Sequence, residues 1–235
     1  MSTKTSRPGG KAQATGAGKS AKGGKKGRKP VAPVRVAKDR NWGSIAMFAV
    51  VGVIAAAIIG FAAFAVLSED DRGWEEQAAD IEGIVNYREQ RPEMLTADHV
   101  SGPLSYEVTP PVGGQHNGTP QDCQGVVYDG QIPSEHAVHS LEHGAVWITY
   151  QPDLPADQVE QLAEKVRGND FLFMSQFEGL DAPISLQAWG YQLKVQDAGD
   201  DRVDQFIRTL RFNATQEPNA GCGGGTTVTG TVPVG

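Results

Sequence analysis

The longest apolar stretch of the chain covers residues 44–67, which are 24 positions without a single charge. A helix needs about 20 apolar residues to cross the hydrocarbon core of a bilayer. A buried helix of a soluble protein normally keeps a polar face over such a length. The pattern therefore predicts one N-terminal transmembrane helix at residues 44–67.

Shorter apolar patterns follow this stretch and alternate between helical and strand periodicity. They predict helices at 74–87, 135–143, 155–166 and 200–210, and strands at 106–108, 145–150, 171–177 and 184–195. Ser134 is the expected N-cap of the second helix and Gly144 its left-handed C-terminal cap. Gly190 indicates a bulge in the last strand. The later elements run β-α-β-β-α, which predicts a small layered α+β domain behind a loop-rich lead-in that carries histidines.

Charge divides the chain sharply at the apolar stretch. Residues 1–40 contain twelve Lys or Arg against Asp39, whereas residues 68–235 contain nine basic and 27 acidic residues. The positive-inside rule predicts that residues 1–43 are cytoplasmic and 68–235 extracytoplasmic. With so long an apolar run behind a 40-residue leader, we expect an uncleaved single-pass anchor rather than a signal peptide.

The basic N-terminal tail has almost nothing to bury, and we expect it to be disordered. Its charges fit the anionic lipid headgroups of the bilayer surface. Nucleic-acid binding usually requires an ordered basic face or interleaved aromatic residues, and no aromatic residue precedes Trp42. We therefore predict lipid as its partner and no nucleic acid; the sequence does not identify a protein partner.

The two cysteines, Cys123 and Cys222, both follow the apolar stretch. An even pair in an oxidising compartment is expected to form a disulfide, with two free thiols as the alternative. The bond would tie the Gly-rich tail, residues 213–235, to the α+β domain at 68–212.

All five histidines fall between positions 99 and 143, namely His99, His116, His136, His139 and His143. Imidazole is the commonest metal ligand in proteins. In a helix at 135–143, the last three would share one face. Such a nitrogen-rich set suits copper or zinc better than magnesium or calcium. Glu142, beside His143, is available as a ligand, as a partner of a ligand, or as a general base.

Several alternatives to a metal site stay open. One is a structural role for the histidines, and another is acid–base catalysis without metal. Their spacing, His-x-x-His-x-x-x-His, differs from the His-Glu-x-x-His motif of metalloproteases. The chain also contains no Ser-centred nucleophile elbow, phosphate loop or dinucleotide fingerprint.

Three segments resemble the bacterial, membrane-anchored family known as domain of unknown function 3105. They are Pro-Pro-Val-Gly-Gly-Gln-His-Asn at 110–117, the segment 123–128, and His-Ser-Leu-Glu-His-Gly at 139–144. His99, Ala-Trp-Gly at 188–190 and Cys222 also fit, so the resemblance covers roughly residues 74–222. It implies His99, His116, His139, Glu142 and His143 as site positions and makes His136 less typical. The family's activity is unassigned.

The sequence as a whole predicts a membrane-anchored extracytoplasmic domain with a histidine-rich site that binds copper or zinc, acting in metal handling at the cell envelope. One alternative is a metal-dependent hydrolase with Glu142 as general base. Another is a non-enzymatic envelope interaction module in which the histidines are structural.

Overall fold

The computed structural model describes residues 41–67 and 72–235. The chain divides into two compact units, Met1–Ser68 and Glu69–Gly235. The expected disorder of residues 1–40 lies outside the described residues.

The first unit contains helix α1, Trp42–Leu67, which is 26 residues long. Its segment Trp42–Phe61 has a mean hydropathy of 2.5 and is long and apolar enough to cross a membrane. Large apolar side chains such as Phe48 and Phe61 are exposed along it. The N-terminal apolar helix predicted at 44–67 is therefore present.

The second unit is a mixed α+β domain, as predicted. Its helices are α2 (Trp74–Ala79), α3 (Tyr87–Gln90), α4 (Ser134–Glu142), α5 (Ala156–Val166) and α6 (Asp201–Leu210), with a 3-10 turn at Pro92–Met94. Its strands are β1 (Val85–Asn86), β2 (Gln124–Val127), β3 (Val146–Tyr150), β4 (Leu172–Gln176), β5 (Ile184–Ala188) and β6 (Tyr191–Val195).

The six strands form one sheet in the order β1-β6-β5-β3-β4-β2. Strand β4 is parallel to both β2 and β3, whereas β5, β6 and β1 continue from β3 as an antiparallel series. Helix α5 makes the long connection that the parallel pair β3–β4 requires.

The sheet is covered on both faces. Successive side chains of β3 point to opposite faces. Val146 and Ile148 belong to the core formed with α5 and α6, whereas Trp147 belongs to the core that includes Leu141 of α4. Strands buried on both faces are expected to be apolar throughout, and β3 is buried at every position. Helix α4, which carries His136 and His139 and has His143 as its C-cap, is thus fixed against the sheet.

Two predicted elements differ in the structure because glycines break them. The strand predicted at 184–195 is the hairpin β5–β6, in which Gly190 adopts φ +78° in the turn rather than forming a bulge. The helix predicted at 74–87 ends at Ala79, and Gly83 adopts φ +79° before the chain enters β1. An amphipathic pattern cannot show such a reversal, since the apolar residues of both parts face the same core.

The strand predicted at 106–108 does not form, and β2 at Gln124–Val127 was not predicted. β2 contains Gly125 at φ +70° and shows a register shift against β4, so its sequence lacks a regular alternation. The N-cap of α4 is Pro133 rather than Ser134, which lies inside the helix.

Helix α4 ends in the left-handed cap predicted at Gly144, whose φ is +98°. The amide of Gly144 donates to Leu141 O and that of Ala145 to Ser140 O, at 2.9 and 3.1 Å. These two bonds form a complete Schellman motif. It places His143 at the C-cap of α4, one turn beyond His139.

Candidate metal centre

Helix α4 is buried along almost its whole length because the segment 99–121 lies over it. The amides of Asn117 and Gln121 donate to the carbonyls of Glu135 and His136, at 3.2 and 3.0 Å. The Ser140 hydroxyl donates to Gln121 O at 2.6 Å. The loop and the helix therefore form one rigid unit, and the long irregular segment has a defined backbone path.

Three histidines are held in the same way, each by a backbone carbonyl at its Nδ1. The partners are Gly114 O for His116 (2.8 Å), Asn117 O for His139 (2.7 Å) and Gly221 O for His143 (2.8 Å). A carbonyl oxygen only accepts, so each Nδ1 must carry the proton. In the neutral rings, each Nε2 then presents its lone pair, which is the usual arrangement of a metal-bound histidine.

Three histidines and a carboxylate converge beside α4, and we call them the inner group. Their possible ligand atoms all lie within 4.8 Å of one another, and the members are His99, His116, His139 and Glu142. Ligand atoms of a tetrahedral zinc ion are about 3.4 Å apart, so only small shifts separate the two arrangements. All but His99, whose side chain is 46% exposed, are buried.

The closest contact in the inner group joins His116 Nε2 and Glu142 Oε2, at 3.0 Å. With the Nδ1 proton committed to Gly114 O, a neutral His116 would present a lone pair to a carboxylate oxygen. Two buried acceptors at this distance repel each other unless a cation lies between them. The same oxygen is 3.6 Å from His99 Nε2. The geometry therefore requires a proton or a metal ion at this point.

Burial and neighbouring charge favour the ligand forms of the two central residues. Burial lowers the pKa of His139 from 6.5 to about 4, and the nearby His143, His116 and His99 act in the same direction, against the bond to Asn117. Burial by itself would raise the pKa of Glu142, but the hydrogen bond with His116 and the other histidines outweigh it and hold this pKa below its usual value. Near neutral pH, His139 is neutral and Glu142 is ionised.

Aromatic side chains shield the inner group. The indole of Trp189 contacts the His116 ring edge-on, with centroids 5.9 Å apart. The rings of His99 and His139 are stacked, with centroids 4.6 Å apart. Trp189 lies in the hairpin turn between β5 and β6, so this turn contributes an apolar wall to the inner group.

A second set of possible ligands, the outer group, shares His139 with the inner group. It consists of His139, His143 and Glu217. His143 Nε2 is 3.4 Å from Glu217 Oε2, and the Glu217 side chain is 48% exposed. The Glu142 carbonyl positions this segment because it accepts from Thr215 Oγ1, Gln216 N and Glu217 N at 2.8, 2.9 and 3.2 Å.

His136 lies in neither group. Its Nδ1 is 2.6 Å from Thr119 O, and its Nε2 accepts from Val234 N at 3.0 Å. Both nitrogens are thereby used in backbone hydrogen bonds, and the ring is buried. The expectation that His136 would join His139 and His143 on one metal-binding face is not supported by this placement, which agrees with its untypical position in the family resemblance.

Glu217 is the residue of the site that the sequence did not indicate. It lies in the polar C-terminal tail, far along the chain from the histidines. Its one available signal was the expected link from Cys222 to Cys123, which brings the tail to the histidine region. The structure places these cysteines at disulfide distance, with Cα atoms 4.9 Å apart.

Comparison with known proteins gives the family of the chain but no activity. No curated protein and no solved structure matches it significantly. The profile of a family described as protein of unknown function (DUF3105) matches residues 99–224, which include both groups and both cysteines. The chain belongs to this family of unknown function, DUF3105.

Proposed function

We propose that the domain binds one zinc or copper ion in the inner group and acts in metal handling at the cell envelope. The observation that carries the proposal is the pair His116 Nε2 and Glu142 Oε2, which face each other at 3.0 Å in a buried position. A metal ion at this point would replace the proton that otherwise joins the two atoms and would use both lone pairs. The exposed ring of His99 would complete the ligand set from the solvent side.

The donor chemistry narrows the choice of ion. Three imidazoles and a carboxylate suit Zn²⁺ or Cu²⁺, since Cu⁺ prefers thiolate and thioether ligands and Mg²⁺ and Ca²⁺ prefer oxygen. Zinc is favoured because a neutral imidazole set with one carboxylate is among its usual coordination spheres.

A matched pair of histidines on α4 tests the site. His139→Ala removes a proposed ligand, whereas His136→Ala removes an equally buried histidine from the same helix. Full-length protein in detergent, with a tag that contains no histidine, is incubated with zinc or copper, dialysed and analysed for metal. We expect about one ion per chain in the unchanged protein and in His136→Ala, and a loss of at least tenfold in affinity for His139→Ala.

The free energy of unfolding of metal-free protein provides a second comparison, because His136→Ala should lower it although it keeps the metal. His136→Ala removes the hydrogen bonds with Thr119 O and Val234 N, at a cost of about 1 kcal/mol for each part-buried bond. His136→Asn serves as a second variant if the alanine form does not fold. Metal-free unchanged protein, or full metal retention in both His116→Ala and His139→Ala, would contradict the proposal and favour an interaction module with structural histidines.

Glu142 is proposed here as a ligand rather than as the general base of a hydrolase. Its carboxylate oxygen lies close to two candidate ligands, whereas a general base acts on a metal-bound water from outside the coordination sphere. Glu142→Gln distinguishes the roles because the amide is a poor metal ligand. Loss of metal supports the ligand role, and retention of metal in this variant would restore the hydrolase hypothesis.

We also propose that residues 1–43 are cytoplasmic and residues 68–235 extracytoplasmic. The charge asymmetry across α1 supports this orientation, and the cysteine pair at disulfide distance suits an oxidising compartment. The basic N-terminal segment would then face anionic lipid headgroups. Fusions of a periplasm-active and a cytoplasm-active reporter to either end test the orientation, and activity of the cytoplasmic reporter at the C-terminal end would reverse it.

A further inference from the structure

A cavity of about 300 Å³ opens beside the outer group. Its lining residues are His143, Phe171, Phe212, Thr215, Pro218, Asn219 and Ala220. Glu217 lies within the same tail segment, so the outer group stands at the wall of this cavity. In the inner group, by contrast, His116, His139 and Glu142 are buried and only His99 is exposed.

Backbone strain is concentrated at this cavity. The described residues include three non-glycine residues with positive φ, namely Phe171 at 61°, Phe212 at 69° and Asn219 at 76°. All three line the cavity. Left-handed backbone is unfavourable for a bulky residue such as Phe, and such residues cluster at functional sites. The two Phe rings contact each other, with centroids 4.6 Å apart, and hold one wall of the cavity.

His139 connects the two groups and can serve only one ion at a time. Its Nδ1 is bound to Asn117 O, which leaves Nε2 as its single ligand atom. The rings of His139 and His143 are perpendicular, with centroids 4.6 Å apart. The groups are therefore two alternative positions for one ion rather than two independent sites.

We propose that a divalent metal ion enters through this cavity and then moves to the inner group. His143 and Glu217 are the first residues to bind the ion, and His139 stays bound to it during the move. This inference rests on the function proposed above. The outer group offers three ligands with an exposed carboxylate, and the inner group offers four that are mostly buried. The first arrangement favours rapid capture from water, and the second favours retention.

The transfer is a sequence of ligand exchanges without any redox step. At the cavity, bonds from the ion to water are replaced by bonds to Glu217 Oε2, His143 Nε2 and His139 Nε2. The ion keeps His139 while its bonds to His143 and Glu217 break and bonds to His116, Glu142 and His99 form. Neutral His139 and His143 can bind the ion without losing a proton, because the carbonyls of Asn117 and Gly221 fix the ring proton on Nδ1. The proton between His116 Nε2 and Glu142 Oε2 in the metal-free protein is released to water as the ion takes its place.

The test measures the rates of zinc uptake and release by the full-length protein in detergent, with a chromophoric zinc indicator in a stopped-flow instrument. Glu217→Gln changes only the outer group, and Glu178→Gln removes an exposed carboxylate outside both groups. We expect Glu217→Gln to slow uptake and release together, by about tenfold, the size typical of losing one partner of a metal site. Glu178→Gln should keep the rates of the unchanged protein.

Three outcomes would overturn the proposal. Unchanged rates in both Glu217→Gln and a second variant, His143→Gln, would show that the ion bypasses the outer group while the inner site stands. Saturation at two ions per chain would show that His139 is not shared. Failure of the unchanged protein to bind zinc at equilibrium would remove the proposed function together with the transfer path.

Discussion

The link between Cys123 and Cys222 leads to the most direct prediction, which concerns both stability and the outer group. The change is the double substitution Cys123→Ala and Cys222→Ala. Both side chains are buried, at 0% and 4% exposure, and alanine leaves no polar group unpaired there. The cysteines are 99 positions apart, so a bond between them closes a long loop.

The loss expected from the double variant follows from the entropy of that loop. Closing about 100 residues removes close to 5 kcal/mol of entropy from the unfolded chain, which is a large part of the 5–15 kcal/mol that stabilises a typical domain. At about 2–4 °C per kcal/mol for a domain of this size, the melting temperature should fall by roughly 10–20 °C.

Urea unfolding followed by tryptophan fluorescence measures this change, with the unchanged protein under non-reducing conditions as reference. The rate of zinc uptake is a second readout, because the carbonyl of Gly221, which precedes Cys222, accepts from Nδ1 of His143 in the outer group. Zinc uptake should slow in the double variant. A free energy of unfolding within about 1 kcal/mol of the unchanged protein would refute the reasoning, since closing a loop of this length should remove several times that much entropy from the unfolded chain.

Three further predictions concern single positions. In metal-free protein, His139 has a folded pKa of about 4, below its ordinary 6.5, so the unfolded chain takes up the proton first. The free energy of unfolding should therefore fall as the pH drops from about 6.5 to 4. Thermal unfolding of chelator-treated protein checks this, and an equal decline in His139→Gln would contradict it. Gly125→Ala should cost about 2–4 kcal/mol in urea unfolding because φ is +70° and a Cβ would lie 2.7 Å from Gly168 N, whereas Gly168→Ala, with open space around it, should cost only about 1 kcal/mol; similar losses would refute the close contact. Phe212→Gly should be about 1 kcal/mol more stable than Phe212→Ala, because both lose the ring and only glycine relieves the left-handed backbone; equal stabilities would show that the strain is absent.

The elements that long periodic patterns specify were predictable from the sequence. Helices α5 and α6 lie within one residue of their predicted bounds, since an apolar stripe on a polar helix leaves few alternatives. The hairpin β5–β6 was predicted as one strand because Gly190 permits either a bulge or a turn, and only the partner strands decide between them. Strand β2 was missed because its pairing with β4 depends on distant residues rather than on its own alternation.

Most of the inner group was also predictable, but its geometry was not. Histidine content and the segment 139–144 indicated the region, yet helical spacing by itself placed His136 on the same face as His139. What separates them is the partner of Nε2: the Val234 amide donates to Nε2 of His136, whereas His139 has its backbone partner at Nδ1 and belongs to the possible metal ligands. Almost every residue offers a backbone amide, so the path of the C-terminal tail must be known before a ligand can be distinguished from a structural histidine.

The outer group shows how far apart in the chain the parts of one site can be. Glu217 reaches His143 because three donors of residues 215–217 bind the last carbonyl of α4, and helix ends leave such carbonyls unsatisfied by the helix itself. The tail is thus a cap for α4 as well as a source of a ligand. A tail displaced by loss of the cysteine pair would uncover that helix end and remove His143's carbonyl partner together, while the inner group, held by Gly114, Asn117 and α4, would keep its own. Retention of the ion and speed of its exchange should therefore respond separately to changes in the two parts of the chain.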